Sequence, residues 1–458
     1  MDTSTEEGIP DANIQKYREK FESDPKNLLA QNVCTRHDPF EAALKRNKLT
    51  ELSNVFSHKI SLEGKPVTNQ KASGRCWIFA LFNCMRVPFL KEYNIEEFEF
   101  SQTHIFFWDK VERSNYMLHA FLDAARRGEP ADGRLTCHLL SDPINDGGQW
   151  NMLVNIVEKY GVMPKKCFPE SYNSENSRRL NFLLKNKLRE YCHKIYKLVA
   201  EGKSDAEIQE DIETMMEEIY RIVSICLGTP PDTLTWEYYD KNKAYQKVGP
   251  MSPREFYRKH VKPFFNMEDK ICLVNDPRTN HGYNKLYTVE YLGNMSGKKV
   301  LYINQPVDVL KKLAAEAIRN DEPVWFGCDV GKHFHGKLGY QDLTLHDYEL
   351  LFGTSVQVLS KEDRLIFGDS LMTHAMVLTA VTIENNKTIK WRVENSWGED
   401  GQGKGYLVMT DDWFSEYVYE VVIDRKHIQQ DILDVLQQEP IVLPAWDPMG
   451  ALAYKAKL

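Results

Sequence analysis

The chain has 458 residues, 42% of them hydrophobic and 27% charged, with a formal net charge of −8; this is the usage of an ordinary globular protein. That length suits two or three domains, or one enzyme core with a large insertion, and the balance excludes disordered, collagen-like and membrane classes. No run of basic residues offers a surface that would release counterions from a phosphate backbone, so nucleic acid is an unlikely partner.

The first 24 residues are acidic and polar where a signal peptide needs a basic patch and an apolar stretch. No segment reaches the roughly 18 apolar residues that span a bilayer, so no membrane association is expected. Nine cysteines are scattered singly, with no Cys-x-x-Cys pair, which fits reduced thiols and a cytoplasmic location. From Lys65 a polar, glycine-containing loop runs to Arg75 and gives way to an apolar stretch beginning Cys76-Trp77-Ile78. Ile78, Phe82, Met85 and Phe89 recur there at helical spacing, so Cys76 is expected to open a buried helix.

Between about 170 and 330 two helical stripes follow. One is Leu184, Leu188, Tyr191, Ile195 and Leu198; the other is Ile208, Ile212, Met215, Ile219 and Val223. Ser204 with Glu207 forms a capping-box pattern that starts the second. From about 322 strand signals take over around Val324–Val330, His374–Val381, Thr388–Asn395 and Tyr406–Met409. The expected class is therefore α+β: a helical half and an antiparallel sheet half with the active cleft between them. The expected divisions are an N-terminal segment packing on the core (1–64), a helical half with the nucleophile (65–169), a mainly helical insertion (170–321), the sheet half (322–437) and a C-terminal arm entering the cleft (438–458).

A thiol with a pKa near 8.5 is mostly protonated at neutral pH and needs help to act as a nucleophile. The start of a helix favours an anion at Cys76, and a histidine from the other half would complete a thiolate–imidazolium pair. His374 heads a strand and lies 21 residues before Asn395. In the strand that ends there, Ile389, Trp391, Val393 and Asn395 share one face while Lys390, Arg392 and Glu394 share the other. A buried Asn395 amide needs a partner, and the His374 ring N–H is a sensible one; Trp397 would shield that bond. Gln70, in the incoming loop, together with the backbone N–H of Cys76 would hold an oxyanion, unless it is an ordinary loop glutamine. His333 and His335 lack further ligands at metal spacing, so neither metal nor cofactor is expected.

Gln70-Lys-Ala-Ser-Gly-Arg-Cys76-Trp77, His374-Ala and Asn395-Ser-Trp-Gly398 resemble the three active-site blocks of papain-like cysteine peptidases. Arg75 departs from the ordinary papain pattern, and roughly 300 residues separate Cys76 from His374, about twice the usual interval. Glu63-Gly-Lys-Pro, Ile105-Phe-Phe-Trp108, Asn145-Asp-Gly-Gly-Gln-Trp150, Trp325 to Lys332 and Pro444 to Ala453 extend the resemblance to the bleomycin hydrolase family. It implies a cytosolic aminopeptidase acting on peptides, bleomycin amide and homocysteine thiolactone, arranged as a hollow homohexamer. It further implies that Gly147, Gly148, Trp77 and Ala453 meet substrate, the arm ending at Ala453 lying in the cleft where a terminal carboxylate meets the substrate's free amino group and makes the enzyme an aminopeptidase. This chain continues Tyr454-Lys-Ala-Lys-Leu458, a reach of up to roughly 17 Å, and is expected to remove that tail itself. The rival readings are another papain-fold reaction, such as deubiquitination or acyl transfer, and a nucleic-acid-binding regulator.

Overall fold

The computed structural model describes residues 8–453; the expected loss of the tail after Ala453 concerns residues outside that range. Helix α1, Cys76–Glu92, is mostly apolar, and its side chains from Cys76 to Val87, Asn83 and Arg86 among them, are buried, as befits a helix enclosed on every side. Long α2, Gln102–Arg126, starts at Ser101, whose hydroxyl accepts the His104 N–H. Helix α3, Trp150–Tyr160, follows the Gly147-Gly148 loop.

Both expected stripes are the buried faces of helices α4, Arg178–Ala200, and α5, Asp205–Leu227, the second entered through the Ser204–Glu207 capping box. The two pack on α2 and on each other. Beyond Leu227 the segment expected to be mainly helical changes character. A hairpin of β1, Leu234–Tyr239, and β2, Tyr245–Met251, is followed by β3, Lys270–Val274, β4, Lys285–Val289, and β5, Tyr302–Asn304. Strands β3 to β5 belong to the main sheet, so the sheet half begins well before residue 322. Their short apolar runs are too brief to separate strand from buried helix by periodicity.

Helix α6, Val307–Arg319, leads into β6, Val324–Cys328, followed by β7, His374–Glu384, β8, Lys387–Glu394, β9, Tyr406–Thr410, β10, Val418–Asp424, and β11, Ile441–Leu443. The strand order is β11-β4-β5-β3-β10-β6-β7-β8-β9, extended by two short strands at 340–341 and 334–335. Most neighbours run antiparallel, as expected, but β3 pairs with β5, β4 with β11 and β9 with 340–341 in parallel. One face of the sheet carries α1 and the helical half, the other α6. Both faces are therefore covered, which explains near-continuous burial along β7 rather than alternation.

The N-terminal segment meets the expectation only in its later part, where Ala43 and Ile60 are buried and His58–Lys59 pairs antiparallel with β7; its first two helices differ. Helices Asp11–Glu22 and Pro25–Cys34 bury no residue, leaving Tyr17 56% and Leu29 66% exposed. No helix among the described residues is long and apolar enough to cross a membrane.

Candidate active site

Antiparallel register places His374 opposite Cys328 at the shared end of β7 and β6, and α1 packs on both strands. The first residue of α1 is thereby brought beside the first residue of β7. The Cys76 sulfur meets the backbone N–H groups of Ala375, Trp77 and Cys76 itself. These donors favour a thiolate, but Cys76 and its surroundings are fully buried, and burial pushes the thiol up to about 12.

His374 Nε2 donates to Asn395 Oδ1 at 2.9 Å. The same oxygen accepts the Ser396 N–H at 2.8 Å, which fixes the orientation of the amide and so makes the ring nitrogen the donor. His374 Nδ1 then carries the lone pair, and it has no hydrogen-bond partner among the described residues. Burial pulls the imidazole down to about 4, against the opposing pull of the Asn395 bond. Trp397 lies over the ring with centroids 4.9 Å apart. The next residue, Gly398, has φ +77°, and a Cβ there would stand 2.5 Å from Asn69 Nδ2; only glycine suits this turn.

Gln70 is buried between the two halves. Its Nε2 donates to Ser73 O at 2.6 Å, its Oε1 accepts from the Ser396 hydroxyl at 2.8 Å, and its N–H donates to Ser396 O at 2.8 Å. One side chain thus ties the loop before Cys76 to the loop after Asn395, and one amide hydrogen of its two is left over.

Trp77 is fully buried, its Nε1 donating to Asp146 O at 2.6 Å. Its ring lies against Gly148, where a Cβ would stand 2.5 Å from the indole. Trp77 therefore supports the Gly-Gly loop from beneath rather than offering a surface, a position that its place next to the nucleophile could not reveal. The Gly147 N–H is taken by Asn145 Oδ1 at 2.7 Å. Leu452, next to Ala453, is fully buried in the core that also holds Cys76 and Ala375. His335 faces Glu41 at 3.3 Å and His333 faces Gln357 at 2.9 Å, and no cluster of three or more His, Cys, Asp or Glu suited to a metal exists among the described residues.

Sequence reasoning missed the polar scaffold beneath these groups. Asp146 accepts from Lys110 Nζ at 2.7 Å, Asn181 Nδ2 at 2.7 Å, the Gly74 N–H at 3.0 Å and the Ser177 hydroxyl. Burial would raise its pKa, but the Lys110 ammonium and these donors outweigh that and hold it well below the usual carboxylate range. Buried Arg75 pairs with Glu170 at 2.8 Å. A second buried pair, Arg86 with Glu394 at 2.6 Å, joins α1 to the residue before Asn395. Alternation had placed Glu394 on the charged face of its strand; that face is covered here too. Its sequence signal was an arginine in the middle of a mostly apolar helix.

The model of the Peptidase C1-like family matches residues 8–450. Bleomycin hydrolase of Homo sapiens is 61% identical over 450 residues, covering 97% of this chain and 99% of that protein. Aminopeptidase C of Lactobacillus delbrueckii subsp. lactis is 38% identical, covering 96% and 98% respectively. The crystal structure of PepW from Lactobacillus rhamnosis HN001 superposes with a TM-score of 0.93 at 39% identity, covering 97% and 99% of the two chains. The chain belongs to the Peptidase C1-like family and is an enzyme, a cysteine aminopeptidase.

Proposed function

We propose that the enzyme releases N-terminal residues from peptides through an acyl-thioester on Cys76, with His374 as proton carrier, Asn395 as its orienter and Gln70 as oxyanion donor. The observation that carries this reading is the unpartnered Nδ1 of His374, on a ring held by Asn395 at a strand end that meets the sulfur. In the closed site burial disfavours either ion alone. The proton passes from Cys76 to His374 Nδ1 as sulfur attacks the scissile carbonyl. The spare Gln70 amide hydrogen and the Cys76 N–H then stabilise the oxyanion. His374 returns the proton to the leaving amine, and water, deprotonated by the same ring, releases the acyl group.

The bleomycin amide and homocysteine thiolactone fit the same chemistry, since each presents an acyl carbon beside an amine. Helices α4 and α5 form an insertion relative to a small papain-type fold, and residues 438–453 form an arm along the cleft. The uncovered apolar side chains of the two N-terminal helices, Ile14, Tyr17, Leu28 and Leu29 among them, support contact with further copies of this chain, consistent with a hexamer. All nine cysteines are free, consistent with a reducing, cytoplasmic setting. No basic tract supports nucleic-acid binding. The test compares alanyl- and acetyl-alanyl-anilides: turnover of the free-amine substrate with at least about 100-fold lower kcat/KM for the blocked one is expected. Equal turnover, or internal cleavage of long peptides, would point to another papain-fold reaction.

A further inference from the structure

Arg75, the residue before the nucleophile and a departure from the papain pattern, is fully buried. Its guanidinium lies over the rings of Phe79 and Phe106, 5.1 and 5.4 Å from their centroids. Its Nη2 has no hydrogen-bond partner among the described residues. A buried cation that leaves a donor unused is costly to keep, and an apolar side chain of that length would fill the space at less expense. Stability alone therefore does not account for an arginine at this position.

Its bonds lead to the oxyanion loop. Arg75 Nε donates to the Ser73 hydroxyl at 2.8 Å, and that hydroxyl donates in turn to Gln70 O at 2.6 Å. Gln70 Nε2 donates back to Ser73 O at 2.6 Å. The guanidinium thus begins a chain of hydrogen bonds that ends on the residue with the spare amide hydrogen. Its far side is anchored: Arg75 Nη1 donates to Glu170 Oε2 at 2.8 Å. The same oxygen accepts from Thr103 on α2 at 3.0 Å and from the Ser174 hydroxyl. Burial would raise the Glu170 carboxyl, but Arg75 and Ser174 outweigh it and hold the group below its ordinary value. A bridge between Ala72 and Asn176 ties the loop to the same segment a second time. Charge-assisted bonds in such dry surroundings are short and hold their geometry.

We propose that Arg75 is a positioning residue for the oxyanion: through Ser73 it holds the Gln70 amide where the oxygen of the scissile carbonyl gathers charge. The proposal rests on the reading of Cys76 as nucleophile and Gln70 as oxyanion donor. A donor set in place before the reaction spends nothing on reorganising as charge develops, so its benefit appears in the transition state rather than in substrate binding. Losing Arg75 should therefore slow turnover without weakening binding.

The test uses the full chain and sets turnover of an alanyl-anilide beside alkylation of Cys76 by iodoacetamide. Alkylation forms a carbon–sulfur bond and expels iodide, building no charge on a carbonyl oxygen, so it reads the sulfur and His374 without the oxyanion site. Arg75→Met is expected to lower kcat by at least about 30-fold, with KM and the alkylation rate changed less than about threefold. Gln70→Ala should show the same split, and adding Arg75→Met to it should cost less than about threefold more, since the two act as one unit. Should Arg75→Met not fold, Ser73→Ala serves, because it cuts the chain of bonds and leaves the Arg75–Glu170 pair in place; the same split is expected. Alkylation falling as far as turnover would overturn the proposal, the arginine then acting on the sulfur or on the fold. So would a full further loss in the double variant, or a normal kcat in Arg75→Met while Gln70→Ala is impaired. A normal kcat in Gln70→Ala would instead remove Gln70 as oxyanion donor, and the proposal with it.

Discussion

His374→Ala is expected to lower kcat/KM for an alanyl-anilide by about 10⁴-fold or more. Two physical effects combine in that figure. Without the imidazole the Cys76 thiol has no base beside it, and a thiol pushed up to about 12 is ionised to only roughly one part in 10⁵ at pH 7. The leaving amine also loses its acid. Asn395 Oδ1 keeps its bond from the Ser396 N–H, so the variant is expected to lose no more than about 3 kcal/mol of stability from the cavity and to remain folded. In the wild type, burial holds His374 down to about 4. The ring can accept a proton above that pH and cannot below it, so kcat/KM should rise through about pH 4 as pH increases. A solvated histidine would put that limb near 6.5. Steady-state kinetics over pH 3–8 would show which holds.

Breaking the buried Arg86–Glu394 pair should have the largest effect on stability. Arg86 donates to Glu394 Oε1 at 2.6 Å, Pro66 O at 2.7 Å and Gly64 O at 3.1 Å. It thus ties α1 to β8 and to the chain that leads to Gln70. Removing one partner leaves the other charge buried and alone, so Arg86→Met should cost about 3–5 kcal/mol. Burial is the larger influence on Glu394, raising its carboxyl pKa despite Arg86, so desolvation consumes most of what the pair returns. Arg86→Met with Glu394→Leu is accordingly expected to recover most of the loss. Urea unfolding of wild type, each single variant and the double variant would measure this. A double variant as unstable as the sum of the singles would show that the pair is not coupled.

How much of this could be read from the sequence varies by residue. The helix opening at Cys76, the strand headed by His374 and the Asn395 side chain facing that ring follow from local pattern and spacing, and all three are present. The two amphipathic helices were equally legible because each keeps a clean apolar stripe. What escaped depends on partners far apart in the chain. Glu394 looked like half of a solvated face because nothing local announces Arg86, 308 positions away. Lys110 and Asp146 likewise look like ordinary charges until α2 and the Gly-Gly loop meet. Strands β3 to β5 were too short to announce themselves within a helical stretch. The N-terminal helices carry apolar residues that suggest packing, yet in one chain they bury none.

Every step proposed for this enzyme depends on Cys76 as nucleophile and on His374 making it reactive. Titration with an epoxide thiol trap at neutral pH, followed by peptide mapping, tests it most directly. One label per chain on Cys76 is expected in the wild type, with labelling at least about 100-fold slower in His374→Ala. A label on any of the other eight cysteines, or equal rates with and without His374, would contradict it.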